Sequence, residues 1–470
     1  MSAPDCPSSR TADEQTPLVQ TQSGGQTQSG AALATLRLLG ASSAGLVADG
    51  YDLCVINLVM ALLATLYPES MGPLGQGLAV SMTMLGVIIG MMYFGTVADM
   101  VGRKKASLCT ASFTVLGAVL SSCVTDAPGY GGMAVQLAVC RFILGLGIGG
   151  EYPLSAAIGT EVSFNKGGNL ICSRKQLLIA NMAMFNFGTI LQAVLVIVLV
   201  DTALPLEYVW RLALLGGMVP SVTAIIFRIT MEEPVSPELA DSNSGRREAS
   251  SFAGNFSEIF AEKKHVLFGA CLSWMLFNAV NYSLMSFSHV LCEDIFEVDR
   301  KNDSLHKIIH LDAMYALTLA FCGMCAQLAL VCIGELSNRS LQFFSFAGAS
   351  FLIALSAVLL PRDLMALEVA IQLVLVCCMS MLGVATYLVP TENFPASVRA
   401  TCVGIAAASG KFGALIGTSL FPVAVASFGL QAVLLGGAFI MLSGCVVTSL
   451  FTPEGTSTSE KGSASSSKVA

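Results

Sequence analysis

Apolar runs of about 20 residues recur along nearly the whole chain, each long enough to cross the ~30 Å hydrocarbon core of a bilayer as a helix. Lipid offers no partner to backbone N–H and C=O groups, so such segments must satisfy those groups internally. Composition agrees: 54% of residues are hydrophobic and 12% charged, where a soluble domain carries about 25% charged residues. Mean hydropathy is +0.73. The reading is an all-α membrane protein with twelve transmembrane helices in two six-helix halves.

The spans fall at about 35–66, 76–99, 106–125, 133–158, 176–200 and 210–230, then at 265–290, 310–333, 341–360, 365–390, 400–424 and 428–452. This divides the chain into a polar tail (1–34) expected to be disordered, an N-terminal half (35–230), a cytoplasmic linker (231–264), a C-terminal half (265–452) and a second polar tail (453–470). Two six-span halves around a central loop are the plan of transporters built from repeats, with the site near the midplane between them. With both termini inside, most of the 24 Lys and Arg lie in cytoplasmic segments, and only Arg300, Lys301, Lys307 and Arg362 fall in outer loops. That asymmetry fits the positive-inside rule.

Other classes are set aside. The net charge of −7 sits mostly on terminal and loop acids, and no basic stripe or nucleic-acid motif is present. The 15 Cys are scattered through apolar segments, where a thiol acts as a small hydrophobe. Cys322-x-x-Cys325 reads as packing in a span, and four unpaired His give no metal-ligand spacing. No nucleophile-base pair marks an enzyme, and no cofactor is called for. Glu14-Gln-Thr-Pro-Leu18-Val19 resembles an acidic dileucine sorting signal, a pattern common by chance; the plasma membrane is the expected location and an endosomal or vacuolar membrane the alternative. Asn302-Asp-Ser304 is a glycosylation pattern in an expected outer loop.

Charges inside the spans carry the functional signal, because an ionisable group at bilayer depth costs roughly 2.5–3.5 kcal/mol on insertion scales and persists mainly beside a bundle interior or wet cavity. Span 4 holds Arg141, Gly145, Gly147, Gly149, Gly150, Glu151, Tyr152 and Pro153; span 1 holds Asp49-Gly-Tyr51-Asp52; span 11 holds Lys411. Gly145-x-Gly147-x-x-Gly150 satisfies a dinucleotide fingerprint on paper, but it lacks the strand and βαβ context. Close helix packing through small residues is the better reading. Between spans 2 and 3, Gly95-x-x-x-Asp99-x-x-Gly102-Arg103-Lys104 places an acid able to accept from a neighbouring helix end, a turn glycine and a cytoplasmic basic pair. Gly334-Glu-Leu-Ser-Asn-Arg339 looks like a degraded copy in the second half.

The span 2–3 loop resembles the signature of the major facilitator superfamily. Arg141 through Ser155, with Asp49 to Asp52, Tyr208-Val-Trp210-Arg211, Glu392-Asn-Phe-Pro395-x-x-Val-Arg399 and Ser409-Gly410-Lys411, narrows the resemblance to the phosphate:proton symporter family, over about residues 40–450. That resemblance implies alternating access, inorganic phosphate as substrate and protons as partner. It implies a ligand set of a span 4 Tyr, a span 5 Gln, a Trp, Asp and Tyr of span 7, and a span 10 Asn. Tyr152, Trp274 and Tyr282 match, while Phe185, Asn278 and Gly383 occupy the other three positions.

The expected substrate contacts are Tyr152, Trp274, Asn278, Tyr282 and Lys411. Asp49, Asp52 and Glu151 are expected to carry protons with Arg141 as a counter-charge, and Gly95, Asp99, Gly102 and Arg103 to form a structural gate. Asn278 can donate and accept hydrogen bonds but cannot titrate, so Asn186 and Gln192 are noted as substitute donors. Arg141 and Glu151 lie too far apart along one helix to touch, so each should pair across helices. A carrier of another small solute, such as an organic ion or sugar, and a nutrient-sensing receptor that binds without transporting remain as alternatives.

Overall fold

The computed structural model of the chain describes residues 24–126, 132–162, 174–202, 204–231, 249–286, 304–333, 336–359 and 364–454. The sorting-signal pattern, Asn302 and Gly334 lie outside them. Among the described residues twelve helices are long and apolar enough to cross a membrane. They are α1 (Gly24–Leu66), α2 (Pro73–Val101), α3 (Arg103–Ser122), α4 (Gly132–Val162) and α5 (Arg174–Val200). The broken α6 (Leu206–Thr230) completes the first half. The second half holds α7 (Ala249–Ser286), α8 (Leu305–Ile333), α9 (Asn338–Leu359), α10 (Met365–Asn393), α11 (Arg399–Phe428) and α12 (Leu430–Phe451). The halves meet along α2 with α11, α5 with α8, and α4 with α11.

Two boundaries differ from the sequence reading. Helix α1 begins at Gly24, inside the stretch expected to be disordered; extending an existing helix costs far less than nucleating one, so polar residues can join it. Helix α7 begins at Ala249, inside the expected linker, and bends at Lys263 (φ −111°, ψ 17°). Ahead of the bend, Phe256 and Ile259 pack on Phe394 and Val398. Lys263 Nζ donates to the Asn393 carbonyl at 2.9 Å, at the end of α10.

The glycines of α4 bring backbones together. A β-carbon at Gly145 would stand 2.4 Å from the Thr83 carbonyl oxygen, and one at Gly149 2.3 Å from that of Val87. Gly86 and Gly90 of α2 return the approach, at 2.3 Å from the oxygens of Phe142 and Leu146. Gly147 faces α3 at Thr114, and Gly150 faces the Thr110 methyl. The fingerprint-like glycines are therefore helix-packing surfaces, as small residues are in lipid.

Helix α6 is interrupted at Gly217. Pro220 has no N–H for the Gly216 carbonyl, and its ring crowds that turn. Tyr51 Oη donates to the Ala213 carbonyl at 2.7 Å, while Gly217 lies so close to Asp52 that a β-carbon would be 2.0 Å from Oδ1. Basic side chains cap helix ends: Arg211 donates to Ser122 and Val124 carbonyls, both at 2.8 Å, beyond α3. Lys104 reaches the Met231 carbonyl after α6 at 2.7 Å, and Arg339 reaches Ser449 near the end of α12 at 2.8 Å. The degraded copy thus keeps the basic cap of the original.

Helices α1 and α5 meet through Gly50 and Gly188, whose β-carbons would lie 1.9 and 2.1 Å from the Phe185 and Val47 oxygens. Gly188→Val is expected to force them apart at a cost of about 1–3 kcal/mol, the range for overpacking. A lowered thermal midpoint of the detergent-purified protein checks it, and an unchanged midpoint refutes the tight contact.

Candidate functional site

A cavity of about 910 Å³ lies between the halves. Its walls run from mid-bundle residues such as Met91, Tyr152 and Lys411 to Thr65 at the end of α1, Gln76 at the start of α2 and Ser419 in the last turns of α11. Those outer ends are opposite the basic α2–α3 loop, so the cavity opens to the side that the positive-inside rule makes external.

The five expected substrate contacts converge at its inner end. Tyr152 comes from α4, Trp274, Asn278 and Tyr282 from one face of α7, and Lys411 from α11, and all line the cavity. The 3.6-residue period puts Trp274, Asn278 and Tyr282 four apart on that face. Lys411 Nζ is hydrogen-bonded to the Tyr282 hydroxyl and sits 4.2 Å from the Tyr282 ring centre and 5.7 Å from that of Tyr152. Lys411 is 2% exposed, so its charge is held away from bulk water. Among the described residues it is the only Lys or Arg that lines the cavity. The backbone makes room here: a β-carbon at Gly410 would be 2.5 Å from the Trp274 ring and 3.0 Å from Asn278 Nδ2.

The three departures from the resemblance also face this cavity. Phe185 stands 6.3 Å from the Tyr152 ring. Gly383 leaves space, since its nearest neighbour for an added β-carbon is Phe277 at 3.5 Å. Of the substitute donors, Asn186 Nδ2 donates to Gln327 Oε1 at 2.9 Å, across the α5–α8 seam, and Gln192 lines the cavity with its Oε1 unpartnered. Tyr387 was not anticipated: it is fully buried 6.5 Å from the Trp274 ring, with its hydroxyl unpartnered.

The expected proton-coupling residues lie behind the cavity wall, all buried, and they separate into three environments. Asp49 has no hydrogen-bond partner on either carboxylate oxygen; the charges acting on it are Glu151, Lys411, Asp52 and Arg228. Arg141 donates from Nη1 to the Asp52 main-chain oxygen at 3.4 Å, and the Asp52 carboxylate, lodged against the break in α6, is unpartnered like Arg141 Nε and Nη2. Glu151 is paired on both oxygens. Arg228 Nη1 donates to Oε1 at 2.8 Å, Nη2 donates to Oε2, and Thr110 Oγ1 donates to Oε1 at 2.8 Å. Glu151 and Arg141 do each find partners across helices, and the partner of Glu151 is Arg228, a residue outside the expected set. The available signal was an arginine in the last turn of an otherwise apolar helix end, Ile225-Ile226-Phe227-Arg228.

At the basic side three of the four residues expected as a gate, Gly95, Asp99 and Arg103, touch the other half. Asp99 Oδ2 accepts from the Thr401 N–H and hydroxyl, both at 2.8 Å, at the N-terminus of α11, where a carboxylate also suits the helix dipole. Arg103 donates to Asp99 Oδ1 at 3.3 Å and to the Ala396 carbonyl at 2.8 Å. Gly102 turns the chain at φ 110°, a conformation that favours glycine. Gly95 allows the Ala400 carbonyl to approach to 2.7 Å of where a β-carbon would be. Arg399 Nη1 donates to Thr160 Oγ1 at 3.1 Å, a third tie between halves.

Two six-helix halves tied at one face and parted by a cavity at the other are the architecture of membrane carriers built from repeats. The chain belongs to the sugar (and other) transporter family, whose model matches residues 38–460. Similar curated proteins are two from Arabidopsis thaliana: "Probable inorganic phosphate transporter 1-6", 27% identical with 87% of this chain and 89% of that protein covered, and "Probable inorganic phosphate transporter 1-9", 28% identical over the same shares. The fold is that of the major facilitator superfamily proton:xylose symporter XylE bound to 6-bromo-6-deoxy-D-glucose, with a TM-score of 0.71, 16% identity, and 90% of this chain and 97% of that one covered. The inward open conformation of XylE from E. coli gives 0.64, at 14% identity and 90% and 98% coverage.

Asp99→Ala removes both hydrogen bonds to Thr401. The substitution is expected to open the basic side, read as faster alkylation of a cysteine introduced at Ala157, which is buried beside Ala400; alkylation at the parental rate would show that the contact does not hold the halves.

Proposed function

We propose that the chain is a proton-coupled carrier of inorganic phosphate that works by alternating access. The observation that carries this reading is Lys411, the one cation lining the cavity among the described residues, set at its inner end against Tyr282 and over Tyr152. The names of the curated relatives point to the same substrate.

Phosphate offers four oxygens and, as the monoanion, two acidic protons. Lys411 supplies a charge-assisted bond to an oxygen. The hydroxyls of Tyr152 and Tyr282 and the Trp274 N–H donate to others. Asn278 donates through its amide N–H and accepts a phosphate proton through its carbonyl oxygen. Coupling follows from charge balance. When the site is empty, an ionised Asp49 compensates Lys411; when phosphate binds, the anion takes that place and Asp49 carries a proton. Either state crosses with its buried charges compensated, whereas phosphate without the proton, or the proton without phosphate, leaves one charge unpaired in the bundle at a cost of several kcal/mol. The Gly95, Asp99, Gly102 and Arg103 cluster serves as the inner gate, and rocking of the halves breaks it. The plasma membrane is the proposed location.

The space at Gly383 and the apolar wall at Phe185 favour a second reading, a carrier of a larger organic anion held at the same lysine. Binding without transport would mark the receptor alternative.

Reconstituted into liposomes with an acidic exterior, the protein is expected to accumulate phosphate, and to exchange it when no gradient is imposed. Absence of phosphate exchange at every pH overturns the phosphate reading, and competition by organic anions then separates the second. Lys411→Met should abolish exchange while leaving the protein folded. Asn278→Asp adds a carboxylate that repels the anion once ionised, so uptake should fall more steeply as pH rises than in the parent; superimposable pH profiles would show that position 278 does not touch the substrate.

A further inference from the structure

Helix α10 runs from the cavity to the closed basic side, and a hydroxyl part-way along it has no partner. Gly383 lines the cavity. One turn further, on the same face, Tyr387 is fully buried and stands outside the cavity lining, with its hydroxyl unbonded. Its ring meets Trp274 edge-on at 6.5 Å, and it is one of the groups that act electrostatically on Tyr152. A turn beyond, Thr391 Oγ1 donates to the Tyr387 carbonyl at 2.6 Å, and the Thr391 carbonyl accepts from Arg399 Nε at 3.0 Å. Arg399 is the residue bonded to Thr160 of the other half. Tyr387 therefore sits between the aromatic floor of the site and the inner closure.

We propose that the Tyr387 hydroxyl is a substrate contact of the inward-facing state: it has no partner while the basic side is closed, and when the halves part there it bonds an oxygen of the anion leaving Lys411. The substrate arm of this inference rests on the proposed phosphate transport. A buried hydroxyl without a partner costs free energy that a bonded one does not, so the group favours whichever state gives it a partner. With the cavity open outward, Trp274 stands between Tyr387 and the lining. An anion entering from outside meets Lys411, Tyr282 and Tyr152 but not Tyr387. On inward opening the hydroxyl meets water in the empty carrier and an anion oxygen in the loaded one. Helix α10 can give at this point, because Pro390, inside it, has no N–H for the Thr386 carbonyl, and the turn that carries Tyr387 lacks one helical bond.

Tyr387→Phe deletes the hydroxyl and keeps the ring on Trp274, and two measurements with it test the proposal. The first needs no substrate. Removing a hydroxyl that is satisfied only with the basic side open should favour the closed state, so alkylation of Ala157→Cys, read by peptide mass spectrometry, should be about two- to tenfold slower when Tyr387→Phe is added, the worth of one neutral hydrogen bond. Equal rates overturn the proposal. The second compares phosphate uptake by inside-out and right-side-out membrane vesicles. At the cytoplasmic face Tyr387→Phe should raise the half-saturating phosphate concentration by more than it slows alkylation, because a bond to a charged acceptor is worth more than one to water. At the outer face the concentration should not rise. A rise at the outer face, or a cytoplasmic rise no larger than the slowing of alkylation, shows that the hydroxyl does not bond the anion from the inner side. If the parent moves no phosphate in either vesicle, the phosphate reading fails on that result, and the alkylation rates still decide whether Tyr387 gains its partner when the basic side opens.

Discussion

A charge inside a bundle surrounded by lipid has to be compensated, and the arrangement of this protein follows from how its few buried charges find partners. Glu151 and Arg228 do so mutually, with main-chain oxygens of α1 and α3 completing the guanidinium. Lys411 does so only in part, through the Tyr282 hydroxyl and two aromatic rings. A pair that is already complete has nothing to gain from a ligand. A lysine facing a cavity with one neutral hydrogen-bond partner does, since an anion restores what desolvation took away. The same contrast falls on one helix, α4, where Glu151 is bonded to Arg228 and the adjacent Tyr152 lines the cavity.

Close backbone approach makes that contrast possible. The glycines of α4 let α2 and α3 come within van der Waals contact of its backbone, and Gly45 admits the ion pair beside α1. Pro153 lies inside α4 and Pro390 inside α10, the fourth helix of each half. Each withholds an N–H from the preceding turn, beside Tyr152 in one case and near Tyr387 in the other. The halves nevertheless divide the labour. Buried acids cluster in the first, while the second contributes the lysine and the α7 face with Trp274, Asn278 and Tyr282.

The ties on the basic side and the cavity on the other are two views of one state. Asp99 on the α11 N-terminus and Arg103 on the Ala396 carbonyl tie the halves together on the basic side. These polar contacts lie beside an apolar cluster, Ala98, Leu154 and Ala157 with Ala400, that also joins the halves.

By itself the sequence determined the number of spans, their division into halves, the turn at Gly102 and the contact of Asp99 with a helix end. These depend on local properties: length and apolarity of a run and the conformational freedom of one glycine. It also placed Trp274, Asn278 and Tyr282 on one face, because helical period alone sets that. Only the tertiary structure decided that Glu151 belongs to Arg228, 77 residues away, that Asp49 is left without a partner, that Tyr387 stands behind Trp274, and that α1 and α7 start earlier than polarity indicated. Those outcomes are fixed by how twelve helices pack and rotate against one another, and no pattern along a single helix records which side chain of another will face it.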